Sequence, residues 1–312
     1  MREIVCEDLS LAIDGLEREG FRLDVIYPAD NPAAAVLSRG EDSVRVSTPA
    51  APPLPDRVPS FAPEFVLNRV SEVAGQGRAG MLYRDLIPGR LGGRFIASHI
   101  TIPEGGPVAD WVHFHKVRFQ MIFCRKGWVK VVYEDQGPPF VMQAGDCVLQ
   151  PPGIRHRVLE ASPGLEVVEI GCPALHETIA DHDLALPTGR IDPARDFGGQ
   201  RFLRHVAAET PWAPHGDTGF ERRDTGMAEA TGGLADARVI RPVGAARGFP
   251  AQAGGGELTF GFVLEGAALL NHAGAHRLGP TDAFVIPPGE PWGLGEASED
   301  LRLLEVVLPA AA

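Results

Sequence analysis

Hydrophobic and polar positions alternate in short runs along most of the chain. IASHITIP, FQMIFCRKGWVKVVYE, GDCVLQPPG and LEVVEIG are rich in β-branched or aromatic residues, and Gly or Pro punctuates them. From about residue 64 onward this spacing predicts many short strands joined by tight turns, as in a sandwich or barrel. The first 48 residues read differently. LSLAIDGLEREG sets Leu9, Ile13 and Leu16 on one stripe of a helix that Gly20 can stop. FRLDVIY and SVRVS follow as two strands, with PADNP between them. Residues 1–48 are therefore expected to form a small α+β extension. The stretch 49–63, PAAPPLPDRVPSFAP, is proline-rich and reads as an extended, semi-rigid linker.

The strand-rich part repeats itself. Displaced by 139 residues, YRDLIPGRLGGRFIASHITIP falls on RRDTGMAEATGGLADARVIRP. Arg84 then meets Arg223, Asp85 meets Asp224, Gly93 meets Gly232, Pro103 meets Pro242 and Gly127 meets Gly266. Beyond the next hairpin the displacement becomes 136. Asp146 meets Asp282, Pro151-Pro152-Gly153 meets Pro287-Pro288-Gly289, Glu169 meets Glu305 and Pro173 meets Pro309. Two copies of one domain are expected over 64–185 and 200–312.

Composition adds limits. The 37 glycines and 28 prolines among 312 residues agree with many turns rather than long helices. The net charge is −12 with both signs interspersed, and no basic patch suggests nucleic-acid binding. No apolar run approaches a membrane span, and MREIVCEDLS lacks a signal-peptide core, so a cytoplasmic protein is expected. Cys6, Cys124, Cys147 and Cys172 form no CxxC pair and read as reduced thiols.

The candidate chemistry lies in the first copy, in HFHKVRFQMIFCRKG and GDCVLQPPGIRH. His113 and His115 are two apart on a strand and share a face. Gln120 follows a turn and can return on the paired strand. Pro151-Pro152-Gly153 turns the chain again before His156. A small barrel gathers such inward positions, and three imidazoles at one point make a transition-metal site. Cys124 shares the parity of Gln120 but lies about 13 Å further along the strand, so sulfur ligation is not expected.

These stretches resemble the two motifs of the cupin superfamily. The first runs His-x-His, three or four residues, Glu, six residues, Gly; here it is His113, His115, Gln120 in place of Glu, and Gly127. The second is Gly145, Pro151, Gly153 and His156. The resemblance implies an all-β bicupin: two tandem cupin barrels (double-stranded β-helix, or jelly roll) behind a short N-terminal α+β extension. It implies one divalent transition metal in the first barrel, Fe(II), Ni, Mn or Zn, held by His113, His115 and His156, with Gln120 as a fourth ligand or bonded to a bound water. It also implies a homodimer. The N-terminal segment resembles half of a glyoxalase-type βαβββ module and is too short for a complete one.

The repeat serves as an internal control. His113 falls on Gln252, His115 on Gly254, Gln120 on Thr259 and His156 on Trp292, while the turn residues survive. The second barrel is therefore expected to lack a metal, with Trp292 filling the space and His272 and His276 facing solvent. Arg84-Asp85 recurs in a copy without ligands and reads as structural. Gln in place of Glu leaves the metal charge uncompensated, so the site should favour anionic ligands. Lys116 and Arg118 could attract an anion at the barrel mouth, or be solvated loop charges. Glu160, with the strand parity of His156, could be a general acid or base. These features point to a metal-dependent enzyme on a small anionic molecule, a dioxygenase before an isomerase or lyase. The alternative is a non-catalytic binding or sensing protein. A storage role fits poorly with three intact histidines.

Overall fold

A computed structural model describes the chain except residues 56, 70–74, 77–80, 254–255 and 310–312. The described residues form four β layers with apolar cores between them. In the first barrel, the strands Thr178–Ala180, His113–His115, His156–Ala161, Trp128–Tyr133 and Phe140–Gln143 run side by side in one sheet. Opposite them lies a sheet built on Cys147–Leu149, Phe119–Lys126, Leu165–Cys172, Ile96–Ile102 and Leu82–Asp85. Val129, Val131, Ile154, Leu165 and Val167 fill the space between. The second barrel repeats this plan around Phe220, Val263, Leu270, Phe284, Trp292 and Leu303. The two tandem barrels are those of a bicupin.

The barrels dock through the outer faces of their central sheets. Phe119, Met121, Phe123, Val168 and Ile170 of the first pack with Leu258, Phe260, Phe262, Leu304 and Val306 of the second in one core. Strand alternation explains the arrangement. In Phe119–Lys126 the odd positions face the partner barrel, while Gln120 and Ile122 face inward.

Each copy also lends a strand to the other. Val66–Asn68, which precedes the first barrel, pairs with Ala283–Ile286 of the second. Leu203–His205, which precedes the second, pairs with Cys147–Leu149 of the first. Arg84 secures one exchange: its guanidinium donates to Asn68 Oδ1 at 2.8 Å and to the carbonyl of Thr281 at 2.6 Å. Asp85 accepts from the Ile87 amide and from Arg90. The pair is structural, each member serving its own partners.

The ladders refine the repeat. Arg84 pairs with His99 and Arg223 with Val239, so the displacement is 139 on one strand and 140 on its neighbour. The second copy has one extra residue between them.

The N-terminal segment is larger than its two expected strands. Arg2–Val5 and Ala34–Arg39 join Arg22–Tyr27 and Asp42–Ser47, giving a complete strand–helix–three-strand order. Arg2–Val5 pairs in parallel with Asp42–Ser47. The helix Leu9–Arg18 is capped by Asp8, whose carboxylate accepts the Leu11 amide. Leu9 and Leu16 pack on Phe21, Leu37, Val44 and Val46. Arg22–Tyr27 then pairs with Thr178–Ala180, extending the first barrel's outer sheet. Arg2–Val5 was illegible because REIV carries two charges in four residues.

Candidate metal centre in the first barrel

His113 and His156 are direct partners across their antiparallel strands, and His115 lies two residues from His113 on the same face. One nitrogen from each ring lies within 4.8 Å of the others, and all three residues are buried. Backbone carbonyls orient the rings. His113 Nδ1 lies 2.8 Å from the carbonyl of Trp111, His115 Nδ1 3.1 Å from that of Glu177, and His156 Nδ1 3.0 Å from that of Ile154. A carbonyl only accepts, so each Nδ1 carries a proton, and in the neutral ring Nε2 is then the ligand atom. Asp110 Oδ1 stands 3.5 Å from His113 Nδ1, and its other oxygen accepts the Val158 amide. Burial pushes His115 well below the ordinary imidazole value, and the neighbouring His113, His176 and His156 push it further. A neutral imidazole is what a metal requires. Three buried imidazoles with their Nδ1 protons held by backbone carbonyls fit a divalent transition ion.

Gln120 reaches the cavity from the facing sheet, since its strand pairs with Cys147–Leu149 and Leu165–Cys172 and not with the histidine strand. Its amide nitrogen donates to Glu169 Oε1 at 2.6 Å, and both residues line the cavity with the three histidines. The carboxyl group of Glu169 thus stands one hydrogen bond behind Gln120, an acidic group that the motif spacing does not include. The repeat disguised Glu169, because its counterpart Glu305 is also a glutamate. Their settings differ. Glu305 stands opposite Arg238, which donates to it, while Glu169 stands opposite Ser98.

The cavity measures about 90 Å³, the volume of roughly three waters or of a compact organic molecule. Ile100, Ile122, Val129, Val131, Val158 and Val167 form aliphatic walls. Tyr133 stacks on His156 at 5.5 Å, and its hydroxyl accepts from Gln150 Nε2 at 2.8 Å. Burial pushes the Tyr133 phenol up, so it stays protonated.

The remaining candidates lie elsewhere. Glu160 faces away from the cavity. A bulge sets Val131 opposite Val158 and Lys130 opposite Glu160, so the extra residue Leu159 reverses the parity that linked Glu160 to His156. Arg118 is committed to the second barrel through Glu257 Oε2 at 2.7 Å. The Lys116 side chain is 70% exposed and lies 3.8 Å from Glu177. Neither lines the histidine cavity. His176, which contacts His115 edge-on at 5.2 Å and bonds the Pro173 carbonyl, went unnoticed because it belongs to neither motif.

In the second barrel Gln252 and Trp292 are paired just as His113 and His156 are. Trp292 is 1% exposed and packs on Phe249 and Phe284, so the vacated space is filled with indole. Thr259 is buried, and Gly254 lies outside the described residues. His272 corrects its expectation: it is buried, bonds the Pro291 carbonyl at 3.0 Å and packs on Phe65. His276 is partly buried against the same ring.

Residues 98–170 match the Cupin domain family. No curated protein sequence matches significantly. Among solved structures, the chain resembles the protein Ylba from E. coli at 12% identity and a TM-score of 0.56, covering 80% of this chain and 93% of that one. It resembles salicylate 1,2-dioxygenase from Pseudoaminobacter salicylatoxidans, solved with gentisate, at 18% identity and a TM-score of 0.53, covering 76% of each. A variant of the oxalate decarboxylase OxdC of Bacillus subtilis matches at 10% identity and a TM-score of 0.52, covering 83% and 79%. At these identities the likeness is one of fold, the cupin fold expected from the motifs, and the family match lies within the first barrel.

Proposed function

We propose that the protein is a metal-dependent enzyme, a non-haem dioxygenase in its best-supported form, acting on a compact molecule that reacts as an anion in the first barrel. The observation that carries this reading is the cavity itself: three converging histidines and Glu169 among aliphatic walls. A bound divalent metal would be held by His113, His115 and His156 and would supply Lewis acidity, with oxygen activation if it is Fe(II).

The protein groups narrow the substrate. Among the described residues no Lys or Arg lines the cavity, so a polyanion such as a small dicarboxylate finds no cationic side chain there. A phenol, catechol or diketone suits the walls better, because its ring or alkyl part buries apolar surface and it enters with its ionisable proton in place. Glu169 is positioned to accept that proton, and the Gln120 amide holds its carboxylate in place. The aliphatic side chains exclude water from the reacting end.

The same proton acceptor would serve an isomerase or lyase that enolises its substrate, which keeps that reading second. Oxygen consumption separates them. Anaerobically Fe(II)-loaded protein is mixed with oxygenated buffer and a panel of catechols, hydroxybenzoates and diketones. Substrate-dependent oxygen uptake supports the dioxygenase; no uptake across the panel removes it.

A further inference from the structure

A second polar site lies between the barrels, and the repeat exposes it. Arg84 and Arg223 are equivalent by sequence displacement. Arg84 is fully used, bonding Asn68 and the Thr281 carbonyl of the opposite copy. The groups equivalent to these partners are His205, which pairs with Cys147 as Asn68 pairs with Ala283, and Gly145. Arg223 bonds neither. It makes no hydrogen bond or ion pair with a described residue, and its buried Nε has no partner. His205 Nε2 is likewise buried without a partner.

The surroundings make this charge more anomalous. Glu166 of the first copy follows a β-bulge opposite Lys126; its counterpart, after the same bulge opposite Glu265, is Arg302. A carboxylate that neutralises Arg125 and His99 in one copy is therefore an arginine in the other. Arg302 has no carboxylate partner among the described residues, and its one hydrogen bond goes to the Leu301 carbonyl. Arg241 lies on the strand between those of Arg223 and Arg302 and is paired with Glu221. Like charges on neighbouring strands repel. Trp212 holds all three guanidiniums against its ring, at 4.4 Å for Arg223, 4.0 Å for Arg241 and 5.9 Å for Arg302. Desolvation lowers the Arg223 pKa, and Arg241 and Arg302 lower it further. Beside these residues is a cavity of about 210 Å³, lined by Arg223, Arg302, Trp212, Arg125, Gly145 and Glu265, among others. Arg125, from the first barrel, brings another buried Nε without a partner.

We propose that this inter-barrel cleft binds a small, multiply charged oxyanion, a phosphate ester or a polycarboxylate, through Arg223 and Arg302. Guanidinium forks match the oxygens of either group, and stacking on Trp212 orders them before the ligand arrives. In a chain of net charge −12, Arg223 and Arg302, neither with a carboxylate partner among the described residues, stand against one lining glutamate, Glu265, and concentrate positive potential where an anion would complete the missing hydrogen bonds. The anion would take the place that the Asn68 and Thr281 oxygens hold for Arg84.

The test is calorimetric titration of the full-length protein with inorganic phosphate and with citrate at low ionic strength, using acetate as the monovalent control. Saturable binding of phosphate or citrate is expected, weakened about tenfold or more in Arg223→Ala and in Arg302→Ala. His156→Ala should bind as the wild type does, which separates this cleft from the histidine cavity. Melting curves supply a second readout. The anion should raise the wild-type melting temperature and not that of Arg302→Ala, and without anion Arg302→Ala should be at least as stable as wild type because a repulsion is gone. Absence of saturable binding by the wild type, or binding unchanged in both arginine variants, would overturn the proposal. So would loss of binding in His156→Ala alone.

Discussion

His113 and His156 face each other across an antiparallel ladder, and Gln252 and Trp292 hold the same relationship in the second barrel. The strand pairing at this position is thus common to both copies, and what differs there is the pair of side chains it carries. In the first barrel the frame aims imidazole nitrogens at one point; in the second it stacks an indole into the core.

Trp292 should therefore behave as a core residue. Trp292→Ala is expected to destabilise the chain by about 3–5 kcal/mol, because Phe249 and Phe284 cannot close the space it leaves. Urea unfolding checks the magnitude, and elemental analysis should show unchanged metal content.

Glu169 is the residue on which the proposed chemistry turns. Glu169→Gln keeps the shape and removes the proton acceptor, so kcat should fall about 10²- to 10⁴-fold with metal content retained. If kcat is unchanged on a substrate that the wild type turns over, Glu169 is not the acceptor.

Arg84 joins the exchanged strand to the opposite barrel. Arg84→Ala leaves Asn68 Oδ1 and the Thr281 carbonyl without that donor, and a loss of about 1.5–3 kcal/mol is expected. Denaturant unfolding measures it. The position also shows why equivalence in a repeat does not settle a role: Arg84 is saturated, while Arg223 is not.

Docking of the barrels should weaken in acid. Burial raises the Glu257 carboxyl, but hydrogen bonds and charge from Arg118 and Arg94 outweigh it and hold it below the ordinary value of 4.5. The unfolded chain then takes up a proton at higher pH than the folded one. The stabilisation is complete above about pH 4.5 and is lost as pH falls through the lower folded value. Unfolding at a series of pH values from 7 to below 4 should show this slope, and Glu257→Gln should flatten it.

Much of this was legible in the sequence, and particular residues show where it was not. The repeat, the three histidines and the degenerate second site are all visible as spacing, because strand parity and turn residues impose it. Glu160 could not be placed, because a single bulge residue reverses parity without a sequence signature. Glu169 was hidden by being shared between copies, and only the opposing residue, Ser98 or Arg238, tells its two settings apart. The exchanged strands were also hidden: pairing between Val66–Asn68 and Ala283–Ile286 spans most of the chain and leaves no local pattern.

The most direct measurement is the metal content of protein purified without chelator, by elemental analysis of wild type and His156→Ala. Wild type should hold about one transition-metal ion per chain, and His156→Ala should lose it while its far-UV circular dichroism stays the same. Full stoichiometric retention by a folded His156→Ala variant, or a wild type that takes up no divalent transition metal at all, would contradict a centre built on His113, His115 and His156.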